Sequence, residues 1–275
     1  MTIQLPQDFI DQLNTAADSD GIRLPFTAPI VWWKHGKNQF KQFGGVRYFG
    51  GWGTNAEEFY AAIGEFGVTP TGFADATFSG NDGDFNVYES RAVVFAPIAT
   101  RKRWITKESG KGRSHIQMLC MMAQQEGAEF AAWGPIVLSA KGLTTREIET
   151  AMRNFESFTS EVRQQVAPGV PPLYFWRMLG TFGKQPEYTK VGSGDNTSMI
   201  TYPTVYQPEK VTPEGLERMF VGNEVAGQMV QLRKDASDWL GDKQWKQSKE
   251  DVAATDQPVD PYLAGGFIPD EEMPF

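Results

Sequence analysis

Apolar positions along the chain fall into two patterns. Short apolar and aromatic runs read as strands, and longer runs step by three and four, as helices do. Residues 30–34, Ile-Val-Trp-Trp-Lys, read as a strand. Residues 85–88 and 91–105 have an extended pattern, and residues 115–122 and 134–140 supply two more strands. Residues 173–177 and 198–202 predict another pair, around the glycine-containing loop 192–197. A helix begins at Asn55, which can cap it with Glu58 three residues on, and Phe59, Ile63 and Phe66 fall near one face. The clearest helix follows Thr144, with Glu147 completing a capping box. Its apolar stripe is Ile148, Met152, Phe155, Val162 and Val166. Thr212-Pro213-Glu214 opens a second long helix with Pro at its first position, striped by Leu216, Phe220, Val225, Met229 and Leu232 towards Trp239. A short helix is predicted over residues 8–13. The pairs Gly44-Gly45 and Gly50-Gly51 mark turns or a bulge.

Beyond Gly241 the periodicity is lost. Residues 242–275 are rich in Lys, Gln, Asp and Pro and are predicted to be disordered. The predicted organisation is one domain over residues 1–241 and a tail over 242–275. The order of elements predicts a mainly β fold with inserted helices. A small twisted barrel suits it, and a mixed α+β sheet fits the same pattern.

Charge divides along the same boundary. The formal net charge of the 275 residues is −8, from 34 acids and 26 bases. Six of the acids and no base lie in residues 251–275, so residues 1–250 hold 28 acids against the 26 bases. Two stretches are basic. Residues 34–47 carry Lys34, Lys37, Lys41 and Arg47 with no acid. Residues 101–113 carry Arg101, Lys102, Arg103, Lys107, Lys111 and Arg113 against Glu108 alone.

Aromatics are interleaved with these cations. Trp32, Trp33, Phe40, Phe43, Tyr48, Phe49 and Trp52 lie in and beside the first stretch, and Trp104 lies in the second. Single-stranded nucleic acid is held by this combination, with aromatic faces stacking on bases and cations tracking phosphates. Glycines among them would let bases approach the backbone. On a strand, Trp32 and Trp33 point to opposite faces, so one is expected in the core and the other on a platform. Arg177 beside Phe175 and Trp176 forms a smaller third group.

Little in the chain points to catalysis or to a cofactor, and none is expected. The two histidines, His35 and His115, are about eighty residues apart and read as polar strand or loop residues. No His/Cys pair has metal-ligand spacing. Residues 109–114 lack the spacing of a phosphate-binding loop, and residues 79–84 do not complete a calcium loop. Cys120, the sole cysteine, lies in an apolar run and reads as a buried thiol. No apolar run is long enough to cross a membrane, and the first residues lack the pattern of a signal peptide.

The chain ends in Asp270-Glu271-Glu272-Met273-Pro274-Phe275. An acidic cluster followed by an apolar residue, Pro and Phe resembles the C-terminal tip of bacterial and phage single-stranded DNA-binding proteins. The resemblance covers these six residues alone. It implies a protein that coats single-stranded DNA in replication, recombination or repair and docks partner enzymes through its tip. It also implies an oligonucleotide/oligosaccharide-binding (OB) barrel and a cytoplasmic setting, in a bacterial cell or a phage-infected host. The body is about twice as long as the bacterial family's core, lacks its opening strand and has a shorter spacer. That is closer to a phage or mobile-element version, so a homo-oligomer is possible but the four-subunit assembly is not implied. The alternative is a recombination mediator or adaptor with the same tip, whose body binds protein or duplex DNA.

Overall fold

The computed structural model describes residues 23–37, 48–67, 72–80, 83–106, 112–123, 132–166, 176, 178–181, 189–193, 196–206 and 211–242. Within them, eleven strands join one mixed sheet. They are β1 (Ile30–Lys37), β2 (Tyr48–Asn55), β3 (Phe73–Gly80), β4 (Gly83–Ser90), β5 (Ala92–Thr106), β6 (Gly112–Ala123), β7 (Ala132–Lys141), β8 (Met178–Thr181), β9 (Thr189–Ser193), β10 (Asn196–Ile200) and β11 (Thr204–Tyr206). The order is β11-β8-β5-β6-β7-β1-β2-β4-β3, with β10 pairing the far end of β1 and β9 pairing β10. Every described pairing is antiparallel except β1 with β7.

The sheet is rolled, and two glycines make this possible. Strands β2 and β8 are separated by four others, so in a flat sheet they would stand about 24 Å apart at a spacing of about 4.8 Å per strand. Instead the Trp52 indole of β2 donates to the Gly180 carbonyl of β8 at 3.0 Å. A Cβ at Gly180 would meet the Trp52 ring at 2.9 Å, so this approach needs glycine. Gly134 likewise lies under the Phe66 ring, where a Cβ would sit 2.7 Å away. The path stays open, because β11 and β3 at its two ends do not pair among the described residues.

The inner face carries the larger core. Val31, Trp33, Trp52, Tyr88, Phe95, Met118, Cys120 and Leu138 pack there against α1 (Ala56–Phe66), α2 (Leu143–Val166) and Leu216 of α3 (Pro213–Met219). Phe59 of α1 stacks on both Phe73 and Trp133 at about 5 Å between centroids. The predicted cap of α1 is present, with Asn55 Oδ1 accepting from the amides of Glu57 and Glu58. In α2, Ile148, Met152 and Phe155 are buried and Val162 partly so, as their spacing predicts. The predicted capping box of α2 is not formed. The helix already includes Leu143, Gly142 at φ 61° precedes it, and Glu147 instead accepts from the Val205 backbone.

Among the described residues, helices cover one end of the outer face. There Ile98, Leu119, Met121 and Val137 pack under Val221, Met229 of α4 (Asn223–Asp235) and Trp239 of α5 (Ser237–Gly241). This corrects the prediction of one long helix from residue 212. Leu216 belongs to the inner core and Met229 to the outer one, so the chain must turn round the sheet between them. It does so at residues 220–222, where Phe220 bridges to Trp176 and Gly222 takes φ 86°. The glycine-rich segment near residue 50 is also not a turn, since Gly50, Gly51 and Gly53 lie within β2. Residues 8–13 and the predicted tail from 243 onward lie outside the described residues. Asp242, expected as the tail's first residue, is buried and ion-paired to Arg101. Among the described residues, no helix is long and apolar enough to cross a membrane.

Candidate nucleic-acid interface

Side-chain alternation assigns the outer face its chemistry. Strand β6 places Leu119 and Met121 under the helices, and Gln117 and His115 beyond their edge. Strand β7 does the same with Val137 and then Ser139 and Lys141, and β5 with Ala99 and then Arg101 and Arg103. One row across the sheet therefore reads Arg101, Gln117, Ser139, Trp32, Gly53, Glu89, and the next reads Arg103, His115, Lys141. The second row and part of the first line a cleft of about 150 Å³, with Trp32, Gln117 and Ser139 on its walls and Asn55 and Glu58 at the start of α1 beside it. The cleft lies where β1 passes beyond its pairing with β7 towards β10. Trp33 Nε1 and His35 Nδ1 both donate to the Thr201 carbonyl there, at 3.2 and 2.7 Å. A carbonyl can only accept, so the His35 proton is on Nδ1.

The aromatics expected to stack on bases divide sharply. Trp32 is half-buried on the cleft wall. Trp33 is 2% exposed and Trp52 fully buried, and they meet edge-on at 5.3 Å. Both are core residues, although Trp33 also borders the cleft, and this burial corrects the stacking expectation for both. Trp176 is likewise a core residue, packed on Phe220.

The cations divide in the same way. Lys34, expected on a phosphate, is buried and hydrogen-bonded to Glu89 across β2. Its stem fills the space over Gly53, where a Cβ would lie 3.0 Å from Cδ, while a Cβ on Gly51 would run into the Glu89 carboxylate. These glycines thus admit an internal ion pair, where the sequence suggested an approaching base. Arg101 is 6% exposed and held under α5. It lies 4.0 Å from the Trp239 ring centroid and donates to the Gln117 amide oxygen at 2.6 and 3.0 Å and to the Trp239 carbonyl at 3.1 Å. It is a structural group and not a phosphate contact. Lys102 points to the opposite face and bonds Glu149 of α2 at 2.6 Å. Arg103 alone of the three reaches the cleft.

Lys37 lies on β1, Tyr48 and Phe49 on β2, Trp104 on β5 and Arg113 on β6. Phe40, Phe43, Lys41, Arg47, Lys107, Lys111, Phe175, Arg177 and residues 270–275 lie outside the described residues. Among the cleft residues that the sequence did not single out as binding groups are His115, Gln117, Ser139 and Lys141. Their signal was available as polar side chains at every second position, following apolar residues of the same face. Among the described residues, no group of three or more His, Cys, Asp or Glu is placed to hold a metal. No known protein family, curated protein or solved structure matches the chain.

Proposed function

We propose that the protein binds single-stranded DNA across the polar half of the outer sheet face, without catalysis, and engages replication, recombination or repair enzymes through residues 270–275. One observation carries the DNA-binding part: a partly open indole, Trp32, shares a cleft with Arg103, His115 and Lys141, beside the amide and hydroxyl of Gln117 and Ser139. An indole face stacks on any base, and cations one to three strand-spacings away are suited to meet the phosphates. The apolar half of the same face carries α4 and α5, and the polar half beside it carries the groups suited to an anionic polymer. The rolled sheet with its β2–β8 contact supports reading the body as an enlarged OB-like barrel. The parallel β1–β7 pair and the open path set it apart from a closed one. The tip's acids, Pro and terminal Phe supply the docking part of the reading, suited to a basic pocket with an apolar hole.

Fluorescence titration of the full chain with oligo-dT tests this reading. The expected result is quenching that saturates, weakens with salt and is stronger than with duplex of equal length. An absence of binding to oligo-dT at low salt overturns it. Preference for duplex would favour the mediator reading.

A further inference from the structure

Two carboxamides line the cleft, Gln117 on β6 and Asn55 at the end of β2. In each, the accepting end is already engaged. Arg101 donates to Gln117 Oε1 through Nε at 3.0 Å and through Nη2 at 2.6 Å. A guanidinium has donors only, so the Gln117 atom held there is the carbonyl oxygen, and two donors fill its two lone pairs. Asn55 Oδ1 accepts from the backbone amides of Glu57 at 2.9 Å and Glu58 at 3.2 Å, as the cap of α1. A backbone N–H likewise only donates, which fixes that amide in the same way. Each carboxamide therefore keeps its N–H2 group for the cleft and withholds its carbonyl.

This orientation decides what the two residues can read. A glutamine or asparagine with both ends available recognises adenine by accepting from its N6 amine while donating to a ring nitrogen. With the oxygen engaged, only the donating half remains. A carbonyl oxygen answers a donor best. Thymine offers two, O2 and O4, whereas adenine alone of the four bases has none. The strand register sets the amides on either side of the indole. Gln117 stands opposite Ser139 and Ser139 opposite Trp32, so two strand spacings, about 10 Å, separate Gln117 from Trp32. A base laid on the indole turns its edge across Ser139 towards the Gln117 amide. On the other side of β1, Asn55 follows Gly53, the partner of Trp32, on the same face of β2. The Glu58 carboxylate lines the cleft beside Asn55 and disfavours a phosphate there, so the acceptor suited to Asn55 is an uncharged one.

We propose that Gln117 and Asn55 read a base edge in this cleft as donors only, and so favour bases that present carbonyl oxygens, thymine first, over adenine. The proposal rests on the reading that the cleft binds single-stranded DNA. It adds a selectivity carried by two named amides, on top of stacking that any base satisfies.

Gln117→Glu and Asn55→Asp, each in the full chain, test it. Each variant keeps an oxygen for Arg101 or for the cap and replaces the N–H2 donors with an acceptor, and an unchanged urea midpoint shows that the fold is kept. Affinities for oligo-dT and oligo-dA of equal length, without terminal phosphates, are measured at one salt concentration. The added negative charge weakens both oligomers alike, and the self-stacking of oligo-dA is common to every variant, so both effects cancel in the dT:dA affinity ratio. The expected result is a wild-type preference for oligo-dT, with the ratio falling by about threefold or more in each variant, the size of one lost hydrogen bond. If the wild type binds oligo-dT and the ratio stays unchanged in both variants, the base reading is overturned and the DNA-binding reading stands, with any equal loss for the two oligomers assigning the amides to phosphates. Binding of neither oligomer by the wild type at low salt overturns both.

Discussion

Arg101→Met tests most sharply how the two outer-face arginines of β5 divide their work. The guanidinium of Arg101 is buried against Trp239, bonds Gln117 and the Trp239 carbonyl, and lies 3.6 Å from the Asp242 carboxylate, itself 3% exposed. Methionine keeps much of the apolar stem and removes every polar contact. Removing one partner of a buried ion pair costs about 3–5 kcal/mol, because the other charge is left without compensation. The contact with the indole adds about 0.5–2 kcal/mol, within the same loss and not independently of it. Against a total stability of about 5–15 kcal/mol this is a large fraction. Urea unfolding followed by tryptophan fluorescence reads it. With a slope near 3 kcal/mol per molar, the midpoint falls by about 1–1.7 M. Adding Asp242→Asn to Arg101→Met should recover part of the loss, because the orphaned carboxylate is then gone. A midpoint unchanged in Arg101→Met, together with weaker oligo-dT binding, would refute the assignment of Arg101 to the fold and return it to the DNA.

Other substitutions separate the site from its support. Trp32→Ala should weaken oligo-dT binding by about 1–3 kcal/mol with little effect on unfolding. Trp33→Ala should instead cost about 3–5 kcal/mol of stability, since its ring is core; equal effects of both on binding alone would contradict the face assignment. Arg103→Gln and Lys141→Gln should each reduce the slope of log affinity against log salt by about 0.7, the value for one phosphate contact on a single strand. Burial pushes the Cys120 thiol well up, so it should resist a disulfide reagent at neutral pH in the folded protein and react fully in denaturant. Rapid labelling of the native chain would show that β6 is not packed as described. Burial raises the Glu147 carboxyl above its ordinary value of 4.5, partly offset by the Val205 amide and the nearby Arg146. Its native state therefore holds the proton more tightly than the unfolded chain. The resulting stabilisation is full below the ordinary value and is lost as pH rises through the raised one. Glu147→Gln should remove that portion of the pH dependence, and an identical stability–pH profile in the variant would count against it.

The strands β1, β5, β6 and β7 and the stripe of α2 were legible because each depends on local pattern alone, whereas β2, β3 and β9 were not read. Residues 115–122 and 134–140 are short, mostly apolar runs of strand length, and Ile148, Met152 and Phe155 share one helical face. The break at residues 220–222 was not legible. Helical spacing continues across it, and only the separate destinations of Leu216 and Met229 require the turn. The site was half legible for a related reason. A cation-rich, aromatic stretch shows composition, yet Lys34 and Arg101 find their partners 55 and 138 residues away, at Glu89 and Trp239. Such long-range pairing leaves no local trace. The cleft itself forms by register across β5, β6 and β7, so Arg103, His115 and Lys141 become neighbours only once the sheet is assembled. The glycines of β2 were misleading because flexibility and close approach have the same composition. Here the approaching groups are the Lys34 and Glu89 side chains.

Photo-crosslinking of the full chain to a bromodeoxyuridine-substituted single strand, with the attached peptides mapped by mass spectrometry, tests the central claim most directly. The account predicts adducts on Trp32 and on the cleft segments of β5, β6 and β7 around Arg103, His115 and Lys141, suppressed by unlabelled oligo-dT. Adducts confined to the opposite face, around Lys102 and α2, or to α4 and α5, would contradict it.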